Sequence, residues 1–108
     1  MEAPEAVTAL AALAQEHRLA LFRMLVQAGD QGMAAGALAG RLGIPNSSLS
    51  FHLAGLSRAG LIGQERRSRS LIYRADYRRM NDLLAYLMQN CCAGADCAPA
   101  AIQERNCA

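Results

Sequence analysis

The sequence predicts a mostly α-helical domain of about five helices carrying one two-stranded β-hairpin. Three observations predict it. Among 108 residues there are 22 Ala and 15 Leu, the strongest helix formers, against two Val and four Ile. Apolar residues recur at spacings of three and four along most of the chain. Two short stretches of extended character, 61–66 and 70–74, flank the polar Arg67-Ser68-Arg69. A chain of this length holds one domain and one modest core.

The elements follow in order. Residues 5–28 read as helix, with Val7, Leu10 and Leu13-Ala14, then Leu19, Phe22 and Leu25-Val26 at helical spacing. That stretch is long for one globular helix, so a break is expected near Gln15-Glu16. Gly29-Asp30-Gln31-Gly32 is a turn. A short helix over 34–42 places Ala35, Leu38, Ala39 and Leu42 on one face, and Gly43 stands where a left-handed cap belongs. After Ile44-Pro45-Asn46, a helix over about 47–59 begins with Asn46 or Ser47 as cap and ends at Gly60. The hairpin comes next. The last helix, about 77–90, buries Met80, Leu83-Leu84, Leu87 and Met88 and runs directly into Cys91-Cys92.

Charge sharpens the picture. The net charge is only +2, but residues 58–79 hold seven Arg against Glu65 and Asp76, a local +5, which leaves −3 for the rest. No apolar run reaches the length of a membrane span, and Glu2, Pro4 and Glu5 replace the basic start of a secretory leader, so a cytoplasmic protein is expected. All four cysteines, Cys91, Cys92, Cys97 and Cys107, lie in the last 18 residues. Thiols gathered there staple nothing to the core, which argues against a disulfide framework. The chain divides into a folded domain, 1–90, and a cysteine-rich tail, 91–108.

Helix, short turn, helix and basic hairpin is the order of a winged helix-turn-helix. At roughly 100° per residue, Leu49, Leu53 and Leu56 form the buried stripe of the second helix, while Ser47, Phe51, Ala54 and Arg58 face away. Ser48 and Gly55 lie on the flank. Hydroxyls, one ring and one guanidinium suit a major groove: serines reach phosphates or base edges, Phe meets a thymine methyl, and Arg favours guanine or phosphate. Ser47, Ser48, Ser50, Phe51 and Arg58 are therefore the expected DNA-reading residues, with Arg66, Arg67 and Arg69 at the hairpin tip gripping phosphates or a minor groove. Taken singly, each is more readily a cap or a solvated charge; their order on adjacent elements favours duplex DNA as the partner. His52 turns toward the buried stripe and reads as a packed histidine, and His17 as structural. No side chain is spaced to activate a thiol and no phosphate-binding glycine loop is present, so an enzyme is not expected.

Pro45-Asn46-Ser47-Ser48-Leu49-Ser50-Phe51-His52-Leu53, with Leu56, Ala59-Gly60-Leu61 and Arg69-Ser70-Leu71-Ile72-Tyr73, resembles the ArsR/SmtB metalloregulators over about residues 8–97. That resemblance implies a homodimeric winged-helix repressor that leaves its operator when a toxic metal or metalloid binds. Asn90-Cys91-Cys92-Ala93-Gly94-Ala95-Asp96-Cys97 is similar to the site of arsenic repressors in which an adjacent Cys pair joins a third thiol. It implies Cys91, Cys92 and Cys97 as ligands of trivalent arsenic or antimony. Where many members carry Asp/Ser-Pro-x-Arg, this chain has Gln15-Glu16-His17-Arg18, and its second helix lacks the Cys-Val-Cys site of other arsenic and cadmium repressors.

Soft ions favour clustered thiolates, and binding through thiolates releases protons. Adjacent cysteines within a helix diverge by roughly 100°, so the helix end must adapt, and Gly94 allows a turn that brings Cys97 back. Cys107 reads as dispensable. Two alternatives stand beside arsenic: a redox sensor in which Cys97 or Cys107 resolves an oxidised Cys91 or Cys92, and a four-thiolate zinc site closed by Cys107. The dimer is expected to join the first and last helices through Leu10–Leu13 and Leu83–Leu87.

Overall fold

The computed structural model describes residues 1–94. It contains five α-helices: α1 (Ala3–Leu13), α2 (Glu16–Ala28), α3 (Ala35–Leu42), α4 (Asn46–Arg58) and α5 (Tyr77–Leu87). Three short strands, β1 (Met33–Ala34), β2 (Ile62–Arg67) and β3 (Ser70–Ala75), form one antiparallel sheet in the order β1-β3-β2. This is a winged helix-turn-helix, with α3 and α4 as the helical pair and β2–β3 as the wing.

The expected break in the first helical stretch is real. Gln15 adopts extended backbone and its side chain accepts from the Arg18 N–H at 3.0 Å, so it caps α2 where no Ser, Thr or Asp stands. At the other end of α1, Glu5 Oε1 accepts from the Glu2 N–H at 3.0 Å as half of a capping box. The buried face of α1 consists of Ala6, Ala9 and Ala12, while Val7 and Leu10 remain 64% and 41% exposed. Small side chains let α1 lie close against the domain and turn its larger apolar residues outward.

The core is built on leucine. Leu21 and Leu25 of α2, Leu38 of α3, Leu49 and Leu56 of α4, and Leu61 before β2 are fully buried. Leu49, Leu53 and Leu56 form the stripe expected for α4. Gly43 ends α3 in the left-handed region at φ 69°, as the cap position requires.

The structure differs from the sequence expectation at three places. β1 joins the hairpin as a third strand, pairing Met33 with Tyr73 and Ala34 with Ile72. Two residues are too few to carry an alternating pattern, so the pairing leaves no trace in the sequence. Helix α4 starts at Asn46 behind an extended Pro45, with no side-chain cap from Asn46 or Ser47. The proline ring fixes the entry angle instead.

The last helix stops at Leu87 rather than near Asn90, so Cys91 and Cys92 do not sit at its end. Beyond it, Asn90, Cys92 and Ala93 take left-handed backbone. Leu83 alone on α5 is buried, and Leu87 is 52% exposed. With Leu87 half exposed and Gln89 and Asn90 exposed, a further turn would bury little, so packing does not extend the helix.

Candidate nucleic-acid interface

The exposed side of α4 is the one predicted. Ser47, Ser50, Phe51, Ala54 and Arg58 are exposed, Phe51 by 60%, and Ser48 is partly covered. Gly55, expected on the flank, is buried, because the guanidinium of Arg18 from α2 lies over it.

Between α4 and the wing runs an open cleft lined by Ser50, Leu53, Ala54, Ser57 and Arg58 on the helix, and by Gln64 and Tyr73 on the strands. Ser57 and Gln64 are not among the expected residues. Both are accessible to the pattern: Ser57 stands seven residues, two helical turns, beyond Ser50, and Gln64 alternates with Arg66 on one strand face.

The strand register divides the wing arginines. Gln64 pairs with Tyr73, Glu65 with Ile72, Arg66 with Leu71 and Arg67 with Ser70. Side chains alternate across a sheet, so Arg66 shares the face of Gln64, toward the cleft, and Arg67 shares the face of Glu65. On that opposite face Glu65 accepts from Arg74 at 2.7 Å and stands 3.5 Å from Arg67. The hydrogen bond from Arg74 holds the Glu65 carboxyl below the ordinary carboxylate range, aided by the charges of Arg74 and Arg67 and opposed by slight burial. Arg74 also donates to the Asp30 carbonyl at 2.6 Å. Only Ser68 and Arg69 form the hairpin loop, with Ser68 at φ 56°, so Arg66 and Arg67 lie on the strand rather than at its tip. Among the described residues, Arg58, Arg66 and Arg69 make no ion pair, which leaves three cations available to an anionic partner.

The residues of the helix-turn-helix match a family model described as "Helix-turn-helix domain", over 13–65. The solved structure of HlyU from Vibrio cholerae is 34% identical, with a TM-score of 0.63 over 78% of this chain and 91% of that one. The chain belongs to the ArsR-like winged helix-turn-helix family of transcriptional regulators. An ArsR-like transcriptional regulator from Rhodococcus superposes on it with a TM-score of 0.71 at 29% identity, covering 93% of this chain and 91% of that chain. The Vibrio cholerae transcriptional activator HlyU is 38% identical over 69 residues, 64% of this chain, and the match spans 61% of HlyU's length, under two thirds. HlyU has also been solved in a form described as reduced.

As an ArsR-like regulator the chain carries its helix-turn-helix pair and wing where the sequence located them. Its thiols are a separate matter. Cys91 is partly buried and Cys92 exposed, and both follow the end of α5. Cys97 and Cys107 lie outside the described residues. Among the described residues no three His, Cys, Asp or Glu side chains are grouped to hold a metal ion. No described helix is long and apolar enough to cross a membrane.

Proposed function

We propose that this ArsR-like regulator is a homodimeric repressor that binds operator DNA and releases it when trivalent arsenic, or antimony, binds Cys91, Cys92 and Cys97. The observation that carries the DNA half is the cleft between α4 and the wing, lined by Ser50, Ser57 and Arg58 of the helix and Gln64 of the strand, with Arg66 on the strand face of Gln64. Each recognition helix enters one major-groove half-site, and operator symmetry mirrors the dimer axis. Support for a dimer comes from the outward apolar residues of α1 and α5, Val7, Leu10 and Leu87.

Support for the inducer half is chemical. Cys91 and Cys92 stand beyond a helix end whose backbone has left helical geometry, so adjacent thiols are freed from their helical divergence. Three soft thiolates suit a trivalent metalloid better than a hard ion. Occupying them rearranges the segment beyond α5, and if α5 holds the dimer, half-site spacing changes. Coupling of this kind is reciprocal and typically of order 1–3 kcal/mol, so operator DNA weakens arsenic binding by the same factor.

A second reading has its own observation. Cys92 is disulfide-bonded in the structure. A sulfur in a disulfide is not available as a thiolate, so oxidation competes with arsenic for the same residue and is itself a candidate trigger. Operator release by arsenite, antimonite, zinc and peroxide, on wild type and on each Cys→Ser variant, separates the two. Release by arsenite that is lost in C91S, C92S or C97S and kept in C107S supports the arsenic reading. Release by peroxide with no arsenite response sinks it and leaves the redox sensor.

A further inference from the structure

Arg18 lies in α2, outside the helix-turn-helix pair and the wing, yet its side chain meets α4 at His52, Phe51 and Gly55. Its Nε donates to His52 Nδ1 at 3.3 Å. Its guanidinium carbon sits 5.2 Å from the centre of the Phe51 ring. It also occupies the space over Gly55, where a Cβ would come within 2.6 Å of that carbon and 2.8 Å of both terminal nitrogens. His52 supports the same arrangement, tilted against His17 at 5.5 Å and edge-on to Phe51 at 5.6 Å.

Each of these limits a different freedom. The planar guanidinium fits only because position 55 has no side chain, so the two helices are keyed at one point. Its bond to His52 Nδ1 fixes the imidazole with that nitrogen as acceptor. Its position over the ring restricts Phe51, whose 60% exposed side chain otherwise has solvent on most sides. An exposed ring free to change rotamer must be ordered on binding, and that entropy is subtracted from affinity. We infer that Arg18 is a positioning residue for sequence readout: from α2 it sets the ring of Phe51 and the rotation of α4, so that the ordering cost is met before DNA arrives. It acts through Phe51 and His52 and not as a phosphate ligand. The inference rests on α4 entering the groove, and it adds a specificity determinant outside the DNA-facing surface.

The test uses a duplex selected by wild-type protein from a random-sequence library, compared with a scrambled duplex of equal length, each titrated over a salt series. Arg18→Met is expected to weaken binding to the selected duplex by about tenfold, the scale of one mismatched base pair. Binding to the scrambled duplex and the salt slope stay unchanged. Gly55→Ala provides an independent arm. It displaces the guanidinium without removing its charge, and alanine is the better helix former, so loss of folding is not expected. It should lose the same discrimination. Should Arg18→Met fail to fold, Gly55→Ala and Arg18→Lys decide, since lysine keeps the charge but not the planar contact.

A salt slope that falls by about 0.9 in Arg18→Met, with both duplexes weakened equally, makes Arg18 a phosphate ligand and overturns the inference. Unaltered discrimination in Gly55→Ala or Arg18→Lys overturns it too. A wild-type protein that selects no duplex fails at the earlier step, overturning the DNA reading and this inference with it.

Discussion

Gly32 lies against the main-chain carbonyl of Tyr73, at the point where β1 meets the wing, leaving no room there for a Cβ. Its φ of 65° adds a second reason for glycine. Gly29, three residues earlier, has φ 71° but nothing near its missing side chain. The two positions therefore separate backbone strain from steric exclusion. Gly29→Ala should cost about 2 kcal/mol, because φ 71° with ψ −152° is a conformation essentially reserved to glycine. Gly32→Ala should cost about 3 kcal/mol, because β3 must also retreat from β1. Urea unfolding of both variants measures the difference, and equal losses would remove the steric claim.

The pH dependence of folding follows from His52. Its pKa is lowered from the ordinary value of 6.5, first by burial and then by the charges of Arg18 and His17. In the window between the lowered folded value and 6.5, the unfolded chain binds more protons than the folded one. Stability is therefore complete above pH 6.5 and declines as pH falls through that window. A protonated Nδ1 would also confront the Arg18 donor instead of accepting from it. His52→Gln retains an acceptor and does not titrate, so its urea midpoint should fall less between pH 7 and 5.5 than that of wild type. Parallel curves for the two proteins would acquit His52.

Much of this arrangement is written in local pattern. The leucine stripe of α4, the glycine cap at Gly43 and the hairpin around Ser68 follow from periodicity and turn chemistry, which depend on near neighbours. What the pattern hides depends on distant ones. The pairing of Met33 with Tyr73 joins residues 40 apart in sequence, and the seat of Arg18 over Gly55 joins residues 37 apart. No spacing rule links them. The wing arginines are intermediate: their charge is plain, but only the register shows that Arg66 faces the cleft while Arg67 turns toward Glu65. The end of α5 is hidden for a related reason. Apolar spacing continues through Met88, whereas the half-exposed Leu87 and the exposed Gln89 and Asn90 show how little burial another turn would gain.

That division among the arginines gives a ranking on DNA. Arg66 and Arg69 make no ion pair among the described residues, whereas Arg74 is committed to Glu65 and the Asp30 carbonyl. Removing one cation from a phosphate lowers the salt slope by about 0.9. Arg66→Ala and Arg69→Ala should each flatten the slope by that amount and weaken binding to all sequences alike. Arg67→Ala should do less, since its guanidinium is shared with Glu65, and Arg74→Ala should leave the slope unaltered. Fluorescence anisotropy across a salt series reads all four, and a slope change confined to Arg74→Ala would reverse the assignment of faces.

The dimer prediction turns on which side of α1 is outward. Ala6, Ala9 and Ala12 occupy the domain side, and Leu83 anchors α5 from within. Val7, Leu10 and Leu87 are 64%, 41% and 52% exposed. If they form one patch, a second copy of the chain is what would cover it. A carboxylate placed there costs little in a monomer, because the site already meets water, but is unfavourable between two apolar faces. Leu10→Glu should therefore shift sedimentation equilibrium toward monomer, while Ala9→Glu, inside the fold, should unfold the chain. DNA binding provides the second readout, since one recognition helix on one half-site forfeits the interactions of the other. Leu10→Glu that remains dimeric and binds the selected duplex normally would place the dimer elsewhere on the molecule.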